Sequence, residues 1–199
     1  MKNYLTLLTA LIFSSLLFQG CEEPEKEKHP PVIGSAASIT VDDKEAQMAP
    51  STQALNEVSN DIAKILKVQL NEIAQKEAAN SESELRYCDI SGLKQWVNGS
   101  TLDIKYEACK TEKHTQNGEL KLTYGLTDSE GKYPQTLKLV VKEAYNFNDI
   151  VLQKELIVKS SVSYNEDNSL NKISFKVDGL VHFDHQTIKL ENYSSTVNF

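Results

Sequence analysis

The chain has 199 residues, 28 of them acidic against 21 basic, for a formal net charge of −7. An acidic chain argues against nucleic acid and against electrostatic attachment to anionic lipid. The hydrophobic share is 40%, enough for one soluble domain with its own core.

The first elements concern address. Lys2 gives a positive start, and residues 4–18 form an uncharged apolar run. That run is shorter than the roughly 20 residues a membrane-crossing helix needs, and it fits the core of a secretory signal peptide. Leu17-Phe18-Gln19-Gly20-Cys21 resembles the cleavage signal of bacterial lipoproteins. The resemblance implies that residues 1–20 are removed and that Cys21 is lipidated. The membrane is then a partner through acyl chains, each methylene of which contributes about 0.8 kcal/mol on burial. Glu22 is not the aspartate that retains many such lipoproteins in an inner membrane, so the outer membrane is the implied location. Residues 22–50 hold EEPEKEK, Pro30-Pro31 and polar residues without periodicity. They read as a disordered tether, because they bury too little apolar surface to offset chain entropy.

From residue 51 the pattern becomes helical. Leu55, Val58, Ile62, Ile65, Leu66, Leu70 and Ile73 recur at threes and fours and predict an amphipathic helix over 51–79, with Ser51 or Thr52 as its cap. It stands at the N-terminal end of a domain spanning 51–199. Its expected place is against a sheet, because the stripe is too short for a coiled coil and its polar face is not crowded with basic residues.

From residue 85 the period is two. Leu102, Ile104, Tyr106 and Ala108 alternate with polar residues, as do Leu120, Leu122, Tyr124 and Leu126, and then Ile173, Phe175, Val177, Val181 and Phe183. TLKLVVKEAY and IVLQKELIVKSSVSY read as longer strands. Turns are expected at Asn98-Gly99, Asn117-Gly118, Ser129 to Gly131, Asn146 to Asp149, and Asn165 to Asn168. The predicted class is α+β, mainly β: a helix packed on an antiparallel β-meander, as a single curved sheet or half-barrel.

Three cysteines are present. With Cys21 as anchor, Cys88 and Cys109 form an even pair, which in an exported chain reads as a disulfide. A type I′ turn centred on Asn98-Gly99 sets Cys88 opposite Cys109, Lys94 opposite Asp103 and Leu93 opposite Ile104. Gly92 is a place for a bulge that shifts this register. The stretch from Cys88 to Gly125 has two cysteines, two Asn-Gly pairs and a tyrosine before the second cysteine. It resembles secreted bacterial β-rich proteins of no assigned activity, which implies export and a disulfide-bearing sheet.

Chemistry-bearing motifs are sparse. His182, Asp184 and His185 offer metal donors, with His182 and Asp184 expected on one side of a strand, yet a metal site wants three or four convergent ligands and a second shell. No cofactor is expected. Ser91 to Lys94 and Ser169 to Lys172 match the Ser-x-x-Lys pattern of some serine hydrolases, but in strand or turn context and not at a helix start. The sequence therefore supports a non-enzymatic envelope module that binds a protein or polymer. The alternative is a carrier of a lipid or other apolar ligand, similar in architecture to the open half-barrel lipoprotein carriers. A hydrolase ranks last.

Overall fold

The computed structural model describes residues 50–79, 83–98, 101–126 and 133–199. The expected signal peptide, Cys21 and the tether lie outside these residues. Everything described belongs to one unit, Ser38–Phe199. Among the described residues the class is mainly β with one helix: α1 (Thr52–Ala79) precedes an antiparallel sheet of nine strands. The helix leads the sheet but not the chain.

Helix α1 starts where Ser51 Oγ accepts the Ala54 amide at 3.1 Å, satisfying one of the first turn's orphan donors. Its stripe is buried as the period requires: Val58, Ile62, Ile65, Leu66 and Ile73 are at most 1% exposed. Burying each such side chain contributes roughly 1.5–3 kcal/mol.

The strands are β1 (Ser83–Tyr87), β2 (Ser91–Asn98), β3 (Leu102–Lys110), β4 (Thr115–Leu126), β5 (Pro134–Phe147), β6 (Ile150–Leu152), β7 (Ile157–Tyr164), β8 (Leu170–Phe183) and β9 (Gln186–Asn198). From β1 to β5 each strand pairs with the next. Strands β6 and β7 both lie between β5 and β8, while β9 pairs with β8. The stretch expected as one long strand is thus a strand interrupted at residues 153–156. The interruption stays bonded on both sides: Val141 N–H donates to the Leu156 carbonyl, and Gln153 N–H to that of Leu180. Leu156 is fully buried and sits against Gly179 (φ 138°), where a Cβ would come within 2.7 Å of its Cα.

Two expected turns are corrected. Asn98 pairs with Leu102, so three residues and not two join β2 to β3. Lys94 therefore faces Tyr106, and Leu93 faces Glu107. Asn117-Gly118 lies inside β4, at a bulge where Gly118 has φ 117° and Asn117 Oδ1 accepts the Ala108 amide at 3.0 Å. The β3–β4 connection is instead built at Thr111, whose hydroxyl accepts the amides of Lys113 and His114.

Cys88 and Cys109 are disulfide-bonded, with Cα atoms 5.5 Å apart, but not by the expected route. Strand β1 ends at Tyr87, and Cys88 begins the β1–β2 turn, its amide donating to the Gly92 carbonyl. The bond ties that turn to β3 beside a bulge that inserts Ala108 (φ 46°). Ala108 is exposed for this reason, and Cys109 takes the buried position.

Gly92 has φ 84°, and a Cβ there would run into the Ala108 carbonyl. Gly92→Ala is expected to lower unfolding stability by about 2–3 kcal/mol through backbone strain and this clash. Urea denaturation measures it; a loss below about 0.5 kcal/mol, the range of neutral surface changes, would contradict the bulge geometry.

Candidate functional site

Positions 69 and 72 fall seven residues after Ile62 and Ile65, two helical turns along the same face of α1. They carry Gln and Glu where the stripe would carry aliphatics, and both are buried, at 0% and 6% exposure. A buried carboxylate needs a partner, and the sheet supplies two. Lys94 and Trp96 alternate on β2 and so share a face. Lys94 Nζ donates to both Glu72 oxygens at 2.8 and 2.9 Å, and the Trp96 indole N–H donates to Oε2 at 3.1 Å. From β1 the Arg86 guanidinium lies 4.6 Å from the Trp96 ring centre, bonds Glu84 and reaches Gln75 of the helix.

Gln69 joins the neighbouring strands. Tyr106 of β3 donates its hydroxyl proton to Gln69 Oε1 at 3.0 Å. Gln69 Nε2 donates to Gln116 Oε1 of β4 at 3.5 Å and to the Tyr145 hydroxyl of β5 at 3.4 Å. Tyr145 donates to Gln116 Oε1 at 2.5 Å. Burial pushes both phenols well above their usual range, and the Glu72 charge adds to it, so both remain donors.

Above these groups a cleft of about 370 Å³ opens between α1 and the β1–β2 and β3–β4 turns, lined among others by Glu72, Gln75, Cys88, Lys94, His114 and Gln116. The His114 ring stacks on Phe147 with centroids 5.2 Å apart, and its Nε2 is buried without a hydrogen-bond partner. Burial lowers its pKa, against the opposing pull of the Glu72 and Asp89 charges; Lys113 and Lys94 push the same way as burial.

The cleft can hold a small polar group between charges of both signs. Its machinery is committed to structure: Glu72 already accepts three donor contacts, and the phenols are held neutral. The Ser-x-x-Lys pair at Ser91 and Lys94 follows the same logic, since Lys94 is spent on Glu72 and Ser91 opens a strand. Ser169 lies in the β7–β8 turn, its hydroxyl donating to Asp167.

His182 and Asp184 do not lie on one side of a strand as expected. Asp184 and His185 form the two-residue β8–β9 turn, with φ 47° and 59°. Asp184 therefore does not share a strand face with His182, whose Nδ1 lies 3.4 Å from the Thr187 hydroxyl. Among the described residues no group of three His, Cys, Asp or Glu side chains is placed to hold a metal ion. The chain matches no protein-family model, no curated protein and no solved structure.

His114 sets a pH dependence. An unfolded histidine titrates near about pH 6.5, and the folded one lower. As pH falls through that value the unfolded chain takes up the proton first, so stability is lost until the folded ring also protonates. Between about pH 7 and pH 5 the wild type is expected to lose more stability than His114→Gln. Parallel curves from denaturant titrations across that window would refute this.

Proposed function

We propose that the chain is a lipid-anchored protein of the bacterial cell envelope whose β-rich domain is a non-enzymatic binding or structural module. The supporting observation is the cysteine arrangement. Cys88 and Cys109 are paired with each other, as suits a chain that leaves the reducing cytosol. That leaves Cys21 as the odd cysteine, directly after an apolar run and Gly20, where lipidation uses it. The acyl chains are the membrane partner, the outer membrane is the proposed location, and residues 21–50 are the tether that sets the domain off from the bilayer.

In this reading the meander is a half-barrel wrapped on α1. The α1 stripe takes the place an apolar ligand would occupy in a carrier, which supports a module over a carrier. The surfaces available to an envelope protein or polymer are the polar cleft and the outer sheet face, where Lys159, Ser161, Ser174, Lys176, Ser194 and Thr196 border an open hollow.

The full-length protein expressed in a Gram-negative cell is expected in the membrane fraction, with acyl mass on Cys21. Cys21→Ser is expected in the soluble fraction with its fold intact. An unmodified Cys21, or a serine variant that stays with membranes, would overturn the proposal.

A further inference from the structure

Strand β1 is an edge of the sheet: among the described residues it pairs only with β2. Natural edges are usually blunted by charge, proline or a covering element, since their open backbone groups recruit another strand. Strand β1 carries the charges of Glu84 and Arg86 on one face but presents oily side chains on the other. Leu85 is 60% exposed, Tyr87 84% and Val97 49%, and the register puts all three on one face of the β1–β2 hairpin. Ile90, 54% exposed, stands at its turn. These are four of the five large apolar side chains exposed among the described residues.

The backbone is oriented for pairing. The Cys88 amide donates to the Gly92 carbonyl, which fixes the phase of the β1–β2 ladder. Arg86 and Glu84 then turn their backbone groups toward β2, and Leu85 and Tyr87 turn theirs to the open edge.

The sequence of the strand, Ser83-Glu84-Leu85-Arg86-Tyr87, complements itself when run antiparallel about Leu85. Leu85 then meets Leu85 of a second copy through paired backbone bonds. Glu84 meets Arg86 of the second copy, and Arg86 its Glu84, in the closer, non-hydrogen-bonded positions. Each Glu84 already holds its own Arg86 at 2.6 Å, so pairing brings four charges of alternating sign together on one face and the leucines, tyrosines and Val97 together on the other.

We propose that the protein self-associates as a two-fold dimer through β1, continuing one sheet across two copies. A five-residue strand makes an interface at the small end of the range, below about 1,200 Å². The dimer is therefore concentration-dependent, and any confinement of the chains to a surface favours it.

Sedimentation of the full-length protein in detergent, with micelles in excess, tests this. The wild type is expected to pass from monomer to dimer as concentration rises. Glu84→Arg alone and Arg86→Glu alone each set like charges opposite one another and weaken dimerisation ~10-fold. An equimolar mixture of the two variants restores it, because a strand carrying two arginines then meets a strand carrying two glutamates. An effect confined to the ion pair within one chain cannot be rescued by mixing. Leu85→Lys, at an exposed position that leaves the core untouched, is expected to stay monomeric with an unchanged circular-dichroism spectrum; it decides the matter should either charge variant fail to fold. A wild type that stays monomeric overturns the proposal, whether a segment of its own chain or an unrelated strand covers β1. So does a mixture no more dimeric than its parts, or a Leu85→Lys protein that dimerises like the wild type.

Discussion

Glu72 is an ionisable side chain placed on the apolar face of the only helix among the described residues, and the rest of the structure accommodates it. Leaving a carboxylate unpaired in the interior costs several kcal/mol, far more than any small gain in aliphatic packing from a shifted helix. A sliding helix could find new pockets for Ile62 or Leu66, since aliphatic contacts are not directional. It could not find another Lys94 and Trp96. The ion pair therefore acts as a register pin: α1 can sit on the sheet in one way. Gln69, one turn earlier, extends the pin to β3, β4 and β5 through Tyr106, Gln116 and Tyr145. At the opposite end of the helix the Ser59 hydroxyl meets that of Tyr193 on β9 at 2.7 Å. Polar contacts thus anchor α1 to both ends of the strand order, with aliphatic packing between.

The same pin explains the neighbouring backbone irregularities. For Lys94 and Trp96 to face the helix, β2 must keep a fixed phase. The bulge at Ala108 and the positive φ of Gly92 absorb the residue of mismatch between β2 and β3. The disulfide closes over that bulge and holds the β1–β2 turn against β3. In the chain-entropy description a loop of this size contributes on the order of 3 kcal/mol. The cleft beside His114 is the space left where these three devices meet.

Much of this arrangement is legible in the sequence, because it is periodic. The helix, its Ser51 cap and the alternation of Leu102, Ile104 and Tyr106 follow from spacing alone, and the structure has each of them. The cysteine pair is also legible, though the hairpin arithmetic behind it fails: it needs β2 to run straight back through Cys88, and the chain turns there. Local turn chemistry misleads at Asn117-Gly118, where a glycine with positive φ serves a bulge as readily as a turn. The buried polar groups leave a faint signal. Gln69 and Glu72 continue the stripe of Ile62 and Ile65 at seven-residue spacing, so a polar residue at a core position was there to be read. Its partners were not, because Lys94, Trp96, Tyr106, Gln116 and Tyr145 come together only through pairings across four strands.

A double-mutant cycle on Glu72 and Lys94, followed by denaturant unfolding, measures the pin directly. Lys94→Met leaves the carboxylate buried with only Trp96 for company and is expected to cost about 3–5 kcal/mol. Glu72→Leu strands the ammonium, which with the lysine's partial exposure costs somewhat less. The double variant, with no buried charge left, is expected to recover most of the loss, so that the two effects are far from additive. Additive effects, or a Lys94→Met protein within about 1 kcal/mol of wild type, the value of an ordinary exposed ion pair, would show that α1 is held by its aliphatic stripe alone and that Glu72 does not set its register.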